Sequence, residues 1–167
     1  VQKYVRNMKK NPIMIKGIDK ILDLLRINDS YATFFVVGEL LEHDPLLLDK
    51  IIGAGHEIGF HTMYHDRLDT IDKEIFNQEL LKFAAITKHR SKGFRAPTFS
   101  LNHKSAWAID ALVENNYAYD SSVVPAKTSL YGMPNADTKP YRISRSSIDR
   151  NDENSRLLEF PLAVGKF

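Results

Sequence analysis

The chain has 167 residues, 43% of them hydrophobic and 26% charged, with a formal net charge of +2. That length supports one domain with a real core and is short for two, and the interspersed charges lack the clustered Lys and Arg of a nucleic-acid binder. Cys is absent, which excludes disulfides and thiolate chemistry, and no apolar run approaches the roughly 18–20 residues needed to span a bilayer.

The chain opens on "VQKYVRNMKK", with neither Met nor a signal-peptide core, and stops at "LAVGKF" straight after a strand-like run, so both ends read as cut. Between them two periodicities alternate. Ile18, Ile21, Leu22 and Leu25 fall at i, i+3, i+4 and i+7, which predicts an amphipathic helix with Gly17 at its start. "YATFFVV" (31–37) predicts a strand buried on both faces. Asp44 as N-cap and Pro45 at the first helical position begin a helix that carries Leu47, Leu48, Ile51 and Ile52 and ends at Gly53 or Gly55. "HEIGF" (56–60) is the next strand. Thr70 is expected to cap a longer helix whose apolar face includes Ile71, Ile75, Leu81 and Phe83.

"GFRAP" predicts a strand over 93–96 stopped by Pro97, followed by a helix from Ser100 or Asn102 through Trp107, Ala111 and Leu112. "YAYDSS" supplies a strand over 117–121. From about residue 125 the pattern breaks into a turn-rich excursion, and "LLEFPLAV" returns to strand character. Helix and strand alternating through short connectors predict an α/β fold with parallel strands.

Within that frame His61, Arg95 and Asp120 each fall at or just past the C-terminal end of a predicted strand, the rim where α/β folds gather ligands and catalytic groups. His61 and His65 stand four apart in "HEIGFHTMYH", a spacing that lets two imidazoles converge on one divalent ion. The metalloprotease motif H-E-x-x-H is excluded, because Thr62 stands where its general base belongs. Spacing alone leaves a second reading open, in which the two histidines merely cap a strand and a helix. His56 is read as structural, since alternation points it away from the rim, and His43, His89 and His103 are assigned no role. Phe94, Phe99, Tyr64 and Tyr131 have the chemistry for sugar stacking, but aromatic residues in an α/β domain are more often core and none is counted in the site.

The stretch "ATFFVVGELLEHDPLLLDKIIGAGHEIGFHTMYH" resembles the NodB-homology polysaccharide deacetylases of carbohydrate esterase family 4, in which "TFF", "GHEIG" and H-[ST]-x-x-H follow one another in this order. "GFRAPTFS", "YDSSVVP", "YGMPNA", "PYRI" and "LLEFPL" extend the resemblance toward the exopolysaccharide and peptidoglycan deacetylase subgroup, from about residue 17 to the end. The resemblance implies an incomplete, distorted (β/α) barrel and an enzyme that hydrolyses N-acetyl groups of amino sugars in a polysaccharide. It implies a divalent metal, Zn²⁺ first and Co²⁺ as the alternative, held by His61 and His65.

Arg95 matches the Arg of the family's R-x-P motif, which orients a catalytic Asp. Thr98 takes the place of a Tyr whose backbone N–H helps hold an oxyanion. Asp120 is left between tuning a catalytic partner, touching substrate, and capping a local turn. The family's acidic strand, with the third metal ligand and the base, and its L-x-H acid are absent from this sequence, so the 167-residue piece alone is expected to be inactive. A non-catalytic glycan-binding module on the same fold is the rival reading. The partner expected either way is an N-acetylated polysaccharide, with no nucleic acid, and the oligomeric state is left open.

Overall fold

The computed structural model describes the backbone of residues 12–165 and the side chains of residues 17–165. The opening decapeptide lies outside the described residues. Helix α1 (Pro12–Ile27) runs straight through Gly17 instead of starting there. Pro12 explains the earlier start, because its fixed φ suits the first helical turn. Strand β1 (Thr33–Val36) is shorter than the apolar run, and Val37 already caps α2 (Gly38–His43), a helix not expected from the sequence. Pro45 is the cap of α3 (Leu46–Gly53), and Asp44 closes α2 instead of opening α3.

Strand β2 (Glu57–Phe60) pairs with β1 in parallel, Thr33 beside Glu57 and Val36 beside Phe60, as the order of elements predicts. Thr70 belongs to a 3₁₀ turn, Leu68–Thr70, and the cap of α4 (Lys73–Thr87) is Asp72, whose carboxylate accepts the Ile75 N–H at 2.9 Å. The buried face also differs from expectation. Phe76, Glu79, Leu80, Phe83 and Thr87 face inward, while Ile75 and Leu81 are exposed.

Strand β3 (Gly93–Phe94), helix α5 (Trp107–Glu114) and strand β4 (Tyr119–Asp120) follow. Helix α5 starts later than Ser100 or Asn102, because the Asn102 and Ser105 side chains donate to the Ser100 carbonyl, and Ser105 Oγ accepts the Asn102 N–H, closing a separate turn through 2.9–3.1 Å bonds. The excursion returns as an antiparallel pair, β5 (Tyr141–Ile143) and β6 (Leu157–Glu159), and β6 adds to β4 in parallel. The result is an open six-stranded sheet of order β1-β2-β3-β4-β6-β5. Strand β1 lies at its edge and is only half-buried along most of its length, not covered on both faces as its composition predicts.

The register sorts the side chains into two faces. Val36, Phe60, Phe94, Asp120, Glu159 and Tyr141 form one row across the sheet, on the side packed by helices. There Phe60 and Phe94 meet Phe83 and Phe76, with ring centroids 4.5 Å (Phe60–Phe83) and 5.2 Å (Phe76–Phe94) apart. All four are fully buried, and each such side chain stabilises the fold by roughly 1.5–3 kcal/mol. The opposite row is Phe35, Gly59, Gly93, Tyr119 and Leu158. A Cβ on Gly59 would stand 2.5 Å from the Phe35 ring, and one on Gly93 would stand 2.2 Å from the Tyr119 ring. The two glycines make room for two large rings beside them.

Candidate active site

His61 follows β2 directly, held in line by its N–H to Val36 O at 3.1 Å. Its ring Nδ1 lies 2.6 Å from Arg95 O. A carbonyl only accepts, so Nδ1 carries the proton and Nε2 presents a lone pair. Burial is the main cause that lowers the His61 pKa to about 4, with smaller contributions from His65 and Arg95. The imidazole is therefore neutral near pH 7, as a metal ligand must be.

The four residues that follow bring His65 back onto His61, with ring centroids 4.9 Å apart. Thr62 and His65 both take positive φ, 54° and 61°, which is uncommon for residues other than Gly. Between them the Met63 N–H donates to Glu79 Oε2 at 3.0 Å, and Gly38 and Glu39 donate to the carbonyls of Thr62 and Met63. Burial pushes the Glu79 carboxyl above its ordinary value, with the Met63 N–H opposing. Sequence reasoning missed Glu79. Its signal was a lone charge on the apolar stripe formed by Phe76, Leu80 and Phe83.

Arg95 follows β3 and sits on the same face as Phe35. Its guanidinium carbon lies 4.3 Å from the Phe35 ring centroid, a cation–π contact. Nε donates to Ser121 O at 2.8 Å and a terminal nitrogen to Ser121 Oγ at 2.6 Å. Ser121 Oγ in turn donates to Phe160 O at 2.8 Å. Thr98 is exposed in the 3₁₀ turn Pro97–Phe99 just beyond, with φ 50° and ψ 27°. The structure thus brings His61, His65 and Arg95 together and leaves Thr98 two residues past Ala96.

Asp120 is placed differently from a rim residue. It is fully buried, on the helix-packed face opposite Arg95, and its Oδ1 accepts from Ser122 Oγ at 2.5 Å. Of the three roles the sequence left open, the Ser122 contact fits the local one, and full burial sets the carboxylate back from the rim. A cavity of about 680 Å³ runs along β1 from His61 and Arg95, walled by Phe34, Val36, Leu47 and Ile51.

Two imidazoles with one free lone pair fixed by a hydrogen bond suit half of a divalent-metal site. Among the described residues no group of three His, Asp or Glu side chains converges on one point.

The model of the polysaccharide deacetylase family matches residues 14–117. The chain belongs to the polysaccharide deacetylase family. Among the chain's curated relatives, the peptidoglycan-N-acetylmuramic acid deacetylase PdaA of Bacillus subtilis is 30% identical, over 80% of this chain and 58% of that protein. The peptidoglycan deacetylase-like protein FGM2 of Gibberella zeae is 29% identical, over 83% of this chain and 42% of that protein. The chain thus spans about half the length of these two relatives. A crystal structure of a putative polysaccharide deacetylase from Mycobacterium smegmatis superposes with a TM-score of 0.68 at 20% identity, covering 97% of this chain and 56% of that one. That likeness bears out the expected α/β fold of the NodB-homology type. Among the described residues of this family member, no helix is long and apolar enough to cross a membrane.

Proposed function

We propose that this protein hydrolyses N-acetyl groups from amino sugars of a polysaccharide, with a divalent metal, Zn²⁺ first and Co²⁺ as the alternative, held by His61 and His65. The observation that carries this reading is the 2.6 Å contact of His61 Nδ1 with Arg95 O, which leaves Nε2 free beside a second imidazole. Membership of the deacetylase family supports it. A bound divalent ion supplies Lewis-acid polarisation of the acetamide carbonyl, a poor electrophile on its own.

The chain's own residues set the stage for that step. His61 stays neutral and fixed in one tautomer. Glu79 holds the loop between the two histidines by its hydrogen bond to Met63. Arg95, gripped twice by Ser121 and laid over Phe35, presents a cation of fixed orientation at the strand ends. The Thr98 backbone N–H is assigned as a donor to the developing oxyanion, which a side-chain change from Tyr does not remove.

The test is acetate release from N-acetylglucosamine oligomers and from peptidoglycan by the full-length gene product, with Zn²⁺, with Co²⁺ and after chelation. The expected outcome is metal-dependent release that His61→Ala and Arg95→Ala abolish. Release that survives both chelation and His61→Ala sinks the metal assignment. Oligomer binding with no release under any metal favours a glycan-binding module instead.

A further inference from the structure

Asp120 and Glu159 are register partners on neighbouring strands, and both are wholly buried on the helix-packed face. One oxygen of each is satisfied: Asp120 Oδ1 by the Ser122 hydroxyl at 2.5 Å, and Glu159 Oε1 by the Val123 N–H at 3.0 Å. Their remaining oxygens, Oδ2 and Oε2, have no donor among the described residues. Two adjacent buried carboxylates do not both ionise, and two facing acceptors are reconciled by one proton between them. We propose that Glu159 retains a proton and donates it to Asp120, so that the pair carries one negative charge and anchors the turn that holds Arg95.

Burial and the Asp120 charge together push Glu159 well above its ordinary value. Asp120 is also raised by burial, and the hydrogen bond it accepts from the Ser122 hydroxyl opposes that. The groups facing the pair fit a single negative charge. Tyr141 comes from β5 with Asp137 and Asp149 beyond it, the α5 acids Asp110 and Glu114 are paired with Arg145 and Lys73, and Arg95 feels the pair from the other face of the sheet. Arg95 makes no ion pair among the described residues. Desolvation works against its charge, and the negative charge of the carboxylate pair works for it. A doubly ionised pair repels itself, and a neutral one leaves Arg95 without a counter-charge.

The mechanical link runs through two serines. Ser122 donates to Asp120 and accepts the Ala96 N–H at 2.8 Å, while Ser121 takes the Arg95 guanidinium. Glu159 is thus a positioning residue, acting on Arg95 through residues 121–123. Its bearing on catalysis rests on the deacetylase reading; the shared proton does not.

The experiments use the full-length chain and no substrate, so that their failure and the failure of the deacetylase reading are separable. Infrared spectra at neutral pH are expected to contain an un-ionised carboxyl band that E159Q removes. Absence of that band in the wild type overturns the proposal with no variant needed. In denaturant unfolding between about pH 7 and 8, above the range in which His61 contributes, the wild type is expected to lose stability as pH rises, because the folded state keeps a proton that unfolded Glu releases. E159Q keeps the donor but does not titrate, so the slope flattens; an equally steep slope in E159Q overturns the assignment of the proton. Solvent exchange of the Arg95 Nε–H reads the positioning role. Protection is expected to persist in E159Q and to be lost in E159A, and unchanged protection in E159A overturns that role. If E159A does not fold, Ser122→Ala cuts the tie from Asp120 to the Ala96 N–H, and unchanged Arg95 protection there overturns the positioning role of the pair.

Discussion

The ring of His61 and the carbonyl of Arg95 are joined by a 2.6 Å contact across two parallel strand ends. It couples the two parts of the site: the backbone that carries the guanidinium also selects the imidazole tautomer. Neither residue holds its geometry independently of the other.

Replacing His61 or His65 by Ala removes one of two neighbouring ligands. Metal content of the purified protein is expected to fall sharply in either variant, read by elemental analysis after dialysis against Zn²⁺. Unchanged stoichiometry in both refutes the pair as a metal site. His61→Ala is also expected to change the Arg95 segment, since a backbone carbonyl loses its partner.

Glu79→Ala leaves the Met63 N–H buried without an acceptor, at a cost of about 1–3 kcal/mol. Loosening the loop between the histidines is expected to weaken metal binding by about 10- to 100-fold, as outer-shell changes do. Calorimetric titration with Zn²⁺ checks this, with Glu79→Gln, whose amide oxygen still accepts, expected to lie close to wild type. Equal affinity in the Ala variant means that the turn is held by the Gly38 and Glu39 contacts alone.

The lowered His61 pKa gives the metal-free protein a defined acid sensitivity. The folded ring resists protonation down to about pH 4, whereas the unfolded one protonates near 6.5. Below about pH 6.5 the unfolded state therefore binds the extra proton, and stability falls as pH drops from there to about 4, by roughly 3 kcal/mol in all. Urea unfolding of wild type and His61→Gln across that range is the measurement. The variant is expected to lose this part of the slope, and a slope equal to wild type shows that other groups carry it.

Arg95→Lys keeps the charge and loses the fork. The two bonds to Ser121 and the flat stacking on Phe35 need a planar guanidinium. The expected result is a fall in kcat/KM of at least 10-fold, corresponding to about 1.4 kcal/mol or more of lost transition-state stabilisation, with far-UV circular dichroism unchanged. Ser121→Ala removes one bond only and is expected to show a smaller fall. Full activity in Arg95→Lys shows that charge alone suffices.

Gly93→Ala tests the packing of the inner face. Its Cβ would stand 2.2 Å from the Tyr119 ring, a clash that typically costs about 1–3 kcal/mol. The thermal midpoint is expected to drop, and Tyr119→Leu in the same chain is expected to restore part of it. A variant as stable as wild type shows that the ring has somewhere else to go.

Parallel order was legible because each strand carries β-branched or aromatic runs and each connector a helical period, which are local signals. Strand ends pointed to His61 and Arg95, and the four-residue spacing added His65. Helix boundaries were less legible: Thr70 and Asp72 both have capping chemistry, and only the packing of Phe76 and Phe83 decides between them. Helix α2 was hidden because "GELLEH" is one and a half turns long and continues an apolar run. The half-buried state of β1 depends on what lies beside it, which no residue within the strand encodes. The depth of Asp120 was misjudged for a related reason. Its burial is set by Glu159, 39 residues away in sequence, and "LLEFPL" reads as a strand whichever way its Glu points.

The rings of Phe35 and Tyr119 lie over the two glycines that separate their strands, and this has a consequence for descent. Volume on that face is shared among four positions on four strands. A lineage cannot enlarge residue 59 or 93 until Phe35 or Tyr119 has first become smaller, so substitutions there must arrive in a fixed order. Arg95 rests on one of those rings, and drift in the interior is therefore transmitted to the rim. Related chains with a side chain at 59 are expected to carry a smaller residue at 35, and with it a differently held arginine.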